Sequence, residues 1–181
     1  MRRGIATTAV LIALAVAIGI LLAPVPNVEG ISAVSFFSGL LMGCWRGGLI
    51  GGTAMLLLSL LNPLGPAPPP VLAAQIAGMA LIGAGGHLLR RGQVFRARFR
   101  ALAMVSGGVL TLVYDGLTNY GVAVSIGKWR DPLVVMIAGI PFAAIHVATN
   151  TMIFGAVAAL AARKSWHLIA GKLPRSDERK P

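Results

Sequence analysis

In 181 residues the chain is 56% hydrophobic and only 12% charged, about half the charge of a typical soluble domain, and its mean hydropathy is +0.81. That excludes a soluble globular enzyme and leaves no length for a folded domain beside a set of membrane spans. The net charge of +11 does not point to nucleic acid, because the cations fall between apolar runs rather than along a phosphate-reading face. Cys44 is the only cysteine, which rules out an intrachain disulfide and a cysteine-based metal cluster. Beside Trp45 and Arg46 it reads as a helix-end residue.

Met1-Arg2-Arg3 followed by an apolar run imitates a signal peptide. The run Ile5–Ala23 is longer than an h-region of about 7–15 residues, and Pro24 fits poorly after a cleavage site. It is read as a retained first span, long enough for one crossing. Ala9, Ala13 and Ala17 recur at four-residue spacing and so share one helical face. A stripe of small side chains lets another helix approach closely, although alanine is also simply common in membrane helices.

Pro24-Val-Pro26-Asn27-Val-Glu29-Gly30 breaks the helix into a loop. Ile31–Gly43 and Leu49–Leu61 follow as two short apolar helices around a Cys44-Trp45-Arg46-Gly47-Gly48 turn, each below the usual span of about 20 residues. Asn62-Pro-Leu-Gly-Pro-Ala-Pro-Pro-Pro70 is a proline-rich connector. Such a segment is stiff and extended and needs few backbone hydrogen bonds, which suits a cover over a cavity mouth as well as a plain helix stop.

Val71–Leu89 is the fourth span, with Gln75 near one end. From His87 to Arg100 five arginines cluster, at positions 90, 91, 96, 98 and 100. Ala101–Val124 is the fifth span. Gly127-Lys128-Trp129-Arg130-Asp131-Pro132 is the next loop, with Trp129 suited to the membrane interface. Leu133–Ala162 is the sixth, long enough to tilt or to kink at Pro141.

The expected fold is an all-α integral membrane protein of six transmembrane helices with both termini inside. Residues 1–171 form the membrane domain and residues 172–181 a disordered basic cytoplasmic tail. Fourteen of the sixteen lysines and arginines then lie inside, with Lys128 and Arg130 outside, a strong positive-inside bias.

Depth follows from that topology. Thr111, Asp115 and Asn119 share a face of span five at i, i+4, i+8, with Tyr114 and Thr118 adjoining, and His146 and Asn150 are i, i+4 on span six. Gln75 and Asn62 stand at the outer edge, and Asn27 and Glu29 in the first outer loop. A carboxylate at membrane depth costs about 2.5–3.5 kcal/mol on insertion scales, so Asp115 needs a reason to be there. It is either protonated or paired with His146. The inner half is mostly Ala, Leu, Val and Gly, which describes a polar pocket open outward rather than a continuous channel. Asn150 and Gln75 also fit as interhelical hydrogen-bond glue, and His146 as a packing histidine.

Enzymatic readings find little support. Ser106 and Ser125 lack a nucleophile elbow, the histidines at 87, 146 and 167 are scattered for a metal site, and no Walker motif is present. The chain is therefore read as a non-enzyme without cofactor or metal.

Taken in order, the Ala-xxx-Ala first helix, Pro26-Asn27-Val28-Glu29, Asn62-Pro-Leu-Gly-Pro66 and Asp115-Gly-Leu-Thr118-Asn119 resemble the substrate-binding S components of energy-coupling factor (ECF) transporters, over roughly residues 5 to 162. The resemblance implies a vitamin-like small molecule captured from outside in a pocket built mainly from spans four to six, in a multi-pass protein of the bacterial cytoplasmic membrane. It implies a transmembrane coupling (T) protein and two cytoplasmic ATPases as partners. The T protein would dock on Ala9, Ala13 and Ala17, and the S component would topple to release its cargo. Asn62, Gln75, Tyr114, Asp115, Thr118, Asn119, Trp129, His146 and Asn150 are the expected substrate-binding residues, with Trp129 and the 62–70 loop as a lid. The pattern looks most like members linked to cobalamin or its precursors. The alternatives are a proton-coupled carrier with Asp115 and His146 as relay, and a membrane subunit without a ligand.

Overall fold

The computed structural model describes residues 2–62, 65–91 and 96–163. Among them the secondary structure is entirely helical: α1 (Arg2–Leu22), α2 (Ile31–Met42), α3 (Cys44–Leu60), α4 (Pro69–Arg91), α5 (Arg96–Ser125) and α6 (Leu133–Arg163). Four carry stretches long and apolar enough to cross a membrane: Gly4–Leu22, Pro69–Leu89, Arg98–Ser125 and Leu133–Leu160. The other two are shorter. With 12 and 17 residues, α2 and α3 reach about 18 and 25 Å at 1.5 Å per residue, against a hydrocarbon core of about 30 Å. The expected tail at 172–181 lies outside the described residues.

Helix boundaries differ from the sequence expectation in an instructive way. The turn expected over residues 44–48 is confined to Gly43, and α3 begins at Cys44. Gly43 adopts φ 97°, ψ 166°, a region open essentially to glycine alone, so one residue reverses the chain. Gly47 and Gly48, freed from the turn, lie inside α3 instead. Helix α4 starts at Pro69, where the proline's missing N–H costs nothing in a first turn. Helix α5 starts at Arg96, and α4 runs to Arg91, so all five arginines of the cluster are helical. Helix α6 continues through Pro141.

Helix α4 is the hub, packed on α2, α3 and α5; α6 packs on α5 and touches α2, while α1 lies against α2 and α3. The approach of α4 to its neighbours is backbone to backbone. A Cβ on Gly83 would collide with the carbonyl of Gly47, and one on Gly86 with the carbonyl of Phe36. Glycine at these positions lets the short helices pack without intervening side chains. The core around them holds Phe36, Ile50, Met79, Ile82 and Phe154, all fully buried or nearly so. Large apolar side chains also point outward, among them Val109, Leu112 and Val113 on α5 and Ile137 and Ile140 on α6. Such an exterior suits lipid rather than water.

Candidate functional site

The polar residues gather at one end of the bundle. There the last turn of α1, the loop 23–29, the end of α3, the start of α4 and the middles of α5 and α6 surround a cavity of about 720 Å³. That is the size of pocket that encloses a drug-sized molecule, for which about 300–1,000 Å³ is usual.

Its chemical centre is His146. The ring donates from Nδ1 to Oδ1 of Asp115 at 2.7 Å, and its Nε2 lies 3.1 Å from Oε1 of Glu29. The i, i+4 spacing on α6 puts Asn150 beside the same ring, with Nδ2 3.1 Å from Nε2. As an imidazolium, Nε2 donates to Glu29; as a neutral ring, it accepts from Asn150. Asn150 also donates to Oγ1 of Thr111 at 3.0 Å, which bolts α6 to α5 by a fully buried pair. The Tyr114 ring meets His146 edge-on at 5.9 Å between centroids, and its hydroxyl points to the sulfur of Met55 at 3.8 Å.

The first loop is tied into this centre. Asn27 takes a left-handed conformation, φ 57°, which asparagine tolerates better than other side-chain-bearing residues. Its carbonyl accepts a hydrogen bond from Oγ1 of Thr149 at 2.8 Å. Glu29 sits just before α2, where the helix N-terminus favours a negative charge, and it accepts from Oγ of Ser32. One loop thus places a carboxylate on α6 by two contacts, Glu29 to His146 and Asn27 to Thr149.

Deeper in the bundle lies an aromatic cluster. Phe154 follows Asn150 by one turn and packs on Phe36 and Phe37, with centroids 4.9 and 6.1 Å apart. These three rings form a cluster outside the residues that line the cavity.

Seven of the expected binding residues line the cavity: Asn62, Gln75, Tyr114, Asp115, Thr118, Asn119 and His146. Asn150 does not. It stands one layer behind, holding the histidine. Trp129 is also away from the wall, 52% exposed, with the Arg130 guanidinium 4.6 Å above its ring. Of the proline-rich connector, Asn62, Gly65 and Ala67 reach the cavity, and Ser59 braces it by accepting from the Ala67 N–H at 3.2 Å. Reasoning from sequence missed Glu29 as a wall residue, along with Met55 and the end of α1. Beside spans four to six, the wall takes in the end of α1, the loop 23–29 and the end of α3. The signal for Glu29 was its place in the Pro-Asn-Val-Glu segment beside a polar-faced bundle.

A helical bundle with a lipid-suited exterior and an acid-lined cavity at one end defines a membrane-embedded binder of small molecules. The chain matches the family model for the ECF transporter substrate-specific component over residues 3–158, and it belongs to that family. It is thus a multi-pass membrane protein acting in uptake, a substrate-binding component and not an enzyme. No curated protein and no solved structure matches the chain.

Proposed function

We propose that the chain is the capture subunit of an ECF-type importer of a vitamin or related micronutrient in the bacterial cytoplasmic membrane, binding its ligand from the outer side. The observation that carries this reading is the cavity at the end where loop 23–29, Asn62 and Gln75 meet Tyr114, Asp115, Thr118, Asn119 and His146. Support for an outward mouth comes from charge. The arginine cluster, the start of α1 and the end of α6 lie at the opposite ends of these helices, and a positive flank marks the cytoplasmic side, so all six helices would span with both termini inside. Trp129 would sit at the outer rim rather than in the wall. Transport would need a T protein and two ATPases, and the exposed small-residue face of α1, with Ala9, Ala13 and Ala17, is the proposed docking surface. Cobalamin or a precursor is the first ligand to test, on the sequence pattern alone. The experiment is mass spectrometry of compounds that co-purify from native membranes; a chain that retains none would overturn the capture role.

A second reading is favoured by one contact, the 2.7 Å pair of Asp115 and His146, which would also serve as a proton relay in a stand-alone carrier. The packed rings of Phe36, Phe37 and Phe154, which offer a proton no polar path onward, weigh against it. Proton-dependent uptake in cells lacking any coupling ATPase would establish it.

A further inference from the structure

Resting on the capture role proposed above, we infer that the compound held in this cavity is a cation bearing N–H donors. Two carboxylates, Glu29 and Asp115, line the cavity, and no lysine or arginine does among the described residues. The sign of the lining does not depend on the histidine. With His146 as an imidazolium the lining carries a net charge of minus one, and with His146 neutral minus two. Lys128 and Arg130, the nearest cations by sequence, stand outside the lining residues, and Arg130 is engaged with Trp129. A net negative charge shielded from water is costly unless a counter-charge meets it.

Hydrogen-bond supply leads to the same chemistry. His146 occupies one oxygen of Asp115 and one of Glu29. The second oxygen of Asp115, Oδ2, is buried without a partner among the described residues, and so is Oε1 of Gln75 on the facing helix. Both residues line the cavity, and both atoms accept. A positively charged nitrogen with N–H groups would satisfy them and offset the charge together. A carboxylate or phosphate would bring a further negative charge with no cation to receive it. Primary and secondary amines and N–H-bearing heteroaromatic cations fall in this class.

The test loads the purified chain, in detergent at pH 7, with a small-molecule extract of cells, washes it, and identifies the retained compounds by mass spectrometry. A cation is the expected result. Glu29→Gln and Asp115→Asn should each lower its retention roughly 10- to 100-fold, the range for losing a hydrogen bond to a charged group. Glu29 lies in a loop, so its variant keeps the test valid should Asp115→Asn fail to fold. Retention of an anionic or neutral compound, or retention at the wild-type level by both folded variants, overturns the charge class and leaves capture standing. Retention of nothing overturns the capture role, and this inference with it.

Discussion

Asp115 Oδ1 and His146 Nδ1 lie 2.7 Å apart, so the carboxylate that is most anomalous for a membrane span is also the contact that joins α5 to α6 inside the cavity wall. The Asp115 side chain is only 13% exposed, and removing it would leave the histidine one carboxylate, Glu29, among the described residues. Asp115→Ala should lower stability by about 3 kcal/mol, the lower end of the range for breaking a buried pair, because Glu29 still faces the ring. Asp115→Asn keeps an acceptor for Nδ1–H and should melt within about 1 kcal/mol of wild type. Thermal unfolding in detergent reads both. Equal melting of wild type and the alanine variant would remove Asp115 from the structural role and leave it solely to the ligand.

The loop before α2 is held to α6 by Thr149, whose hydroxyl reaches the Asn27 carbonyl at 2.8 Å and the His146 carbonyl at 3.0 Å. Thr149→Val keeps the shape of the side chain and removes the donor. Loop 23–29 forms part of the cavity wall, so its loosening should speed release of bound compound by up to about tenfold, the worth of one neutral hydrogen bond. A wash-out time course would show it. An unchanged release rate would mean that the Glu29 contact suffices to hold the loop.

Much of this architecture was legible because lipid imposes a simple rule, that a span must be helical and apolar. The apolar runs announced the helices, and i, i+4 spacing put Thr111 with Asp115 and His146 with Asn150 on their respective faces. What the spacing lacked was rotation and depth relative to neighbours. It therefore ranked Asn150 with the wall residues, when it stands behind His146 bonded to Thr111. Glu29 was placed in the right loop but not in the wall, since nothing local says that the loop folds inward; that follows from the contact of Asn27 with a residue 122 positions away. The turn at Gly43 was hidden for another reason. Five further glycines flank it, and composition does not distinguish the one with positive φ from those that serve close packing.

Glycine roles can be separated by experiment. A Cβ at Gly86 would collide with the Phe36 carbonyl, whereas one at Gly116 meets nothing within 4 Å. Gly86→Ala must push α2 away from α4 and should cost about 1–3 kcal/mol as overpacking. Gly116→Ala fills open space in the middle of α5 and should gain about 0.5–1 kcal/mol through helix propensity and reduced unfolded-state freedom. Opposite shifts in melting temperature are the expected pair. Stabilisation by both would mean that the α2–α4 contact is looser than backbone-to-backbone.

One face of α1 is left open by the bundle. Ala15, Val16 and Gly19 are buried against the bundle, while Ala9, Ala13 and Ala17 are all exposed. Leucine in place of Ala13 would therefore project from the outer face, and an exposed change of this kind usually moves stability by less than about 0.5 kcal/mol. The consequence for a partner helix is different. Small side chains at four-residue spacing allow close helix–helix approach in a membrane, where packing rather than water drives association, and one isobutyl group at the centre of the stripe holds the helices apart. Ala13→Leu should then abolish co-purification with the coupling subunits while ligand retention and melting stay at wild-type values. Continued co-purification would show that the partners dock elsewhere, and loss of retention as well would mean that α1 supports the fold of the cavity rather than the docking of a partner.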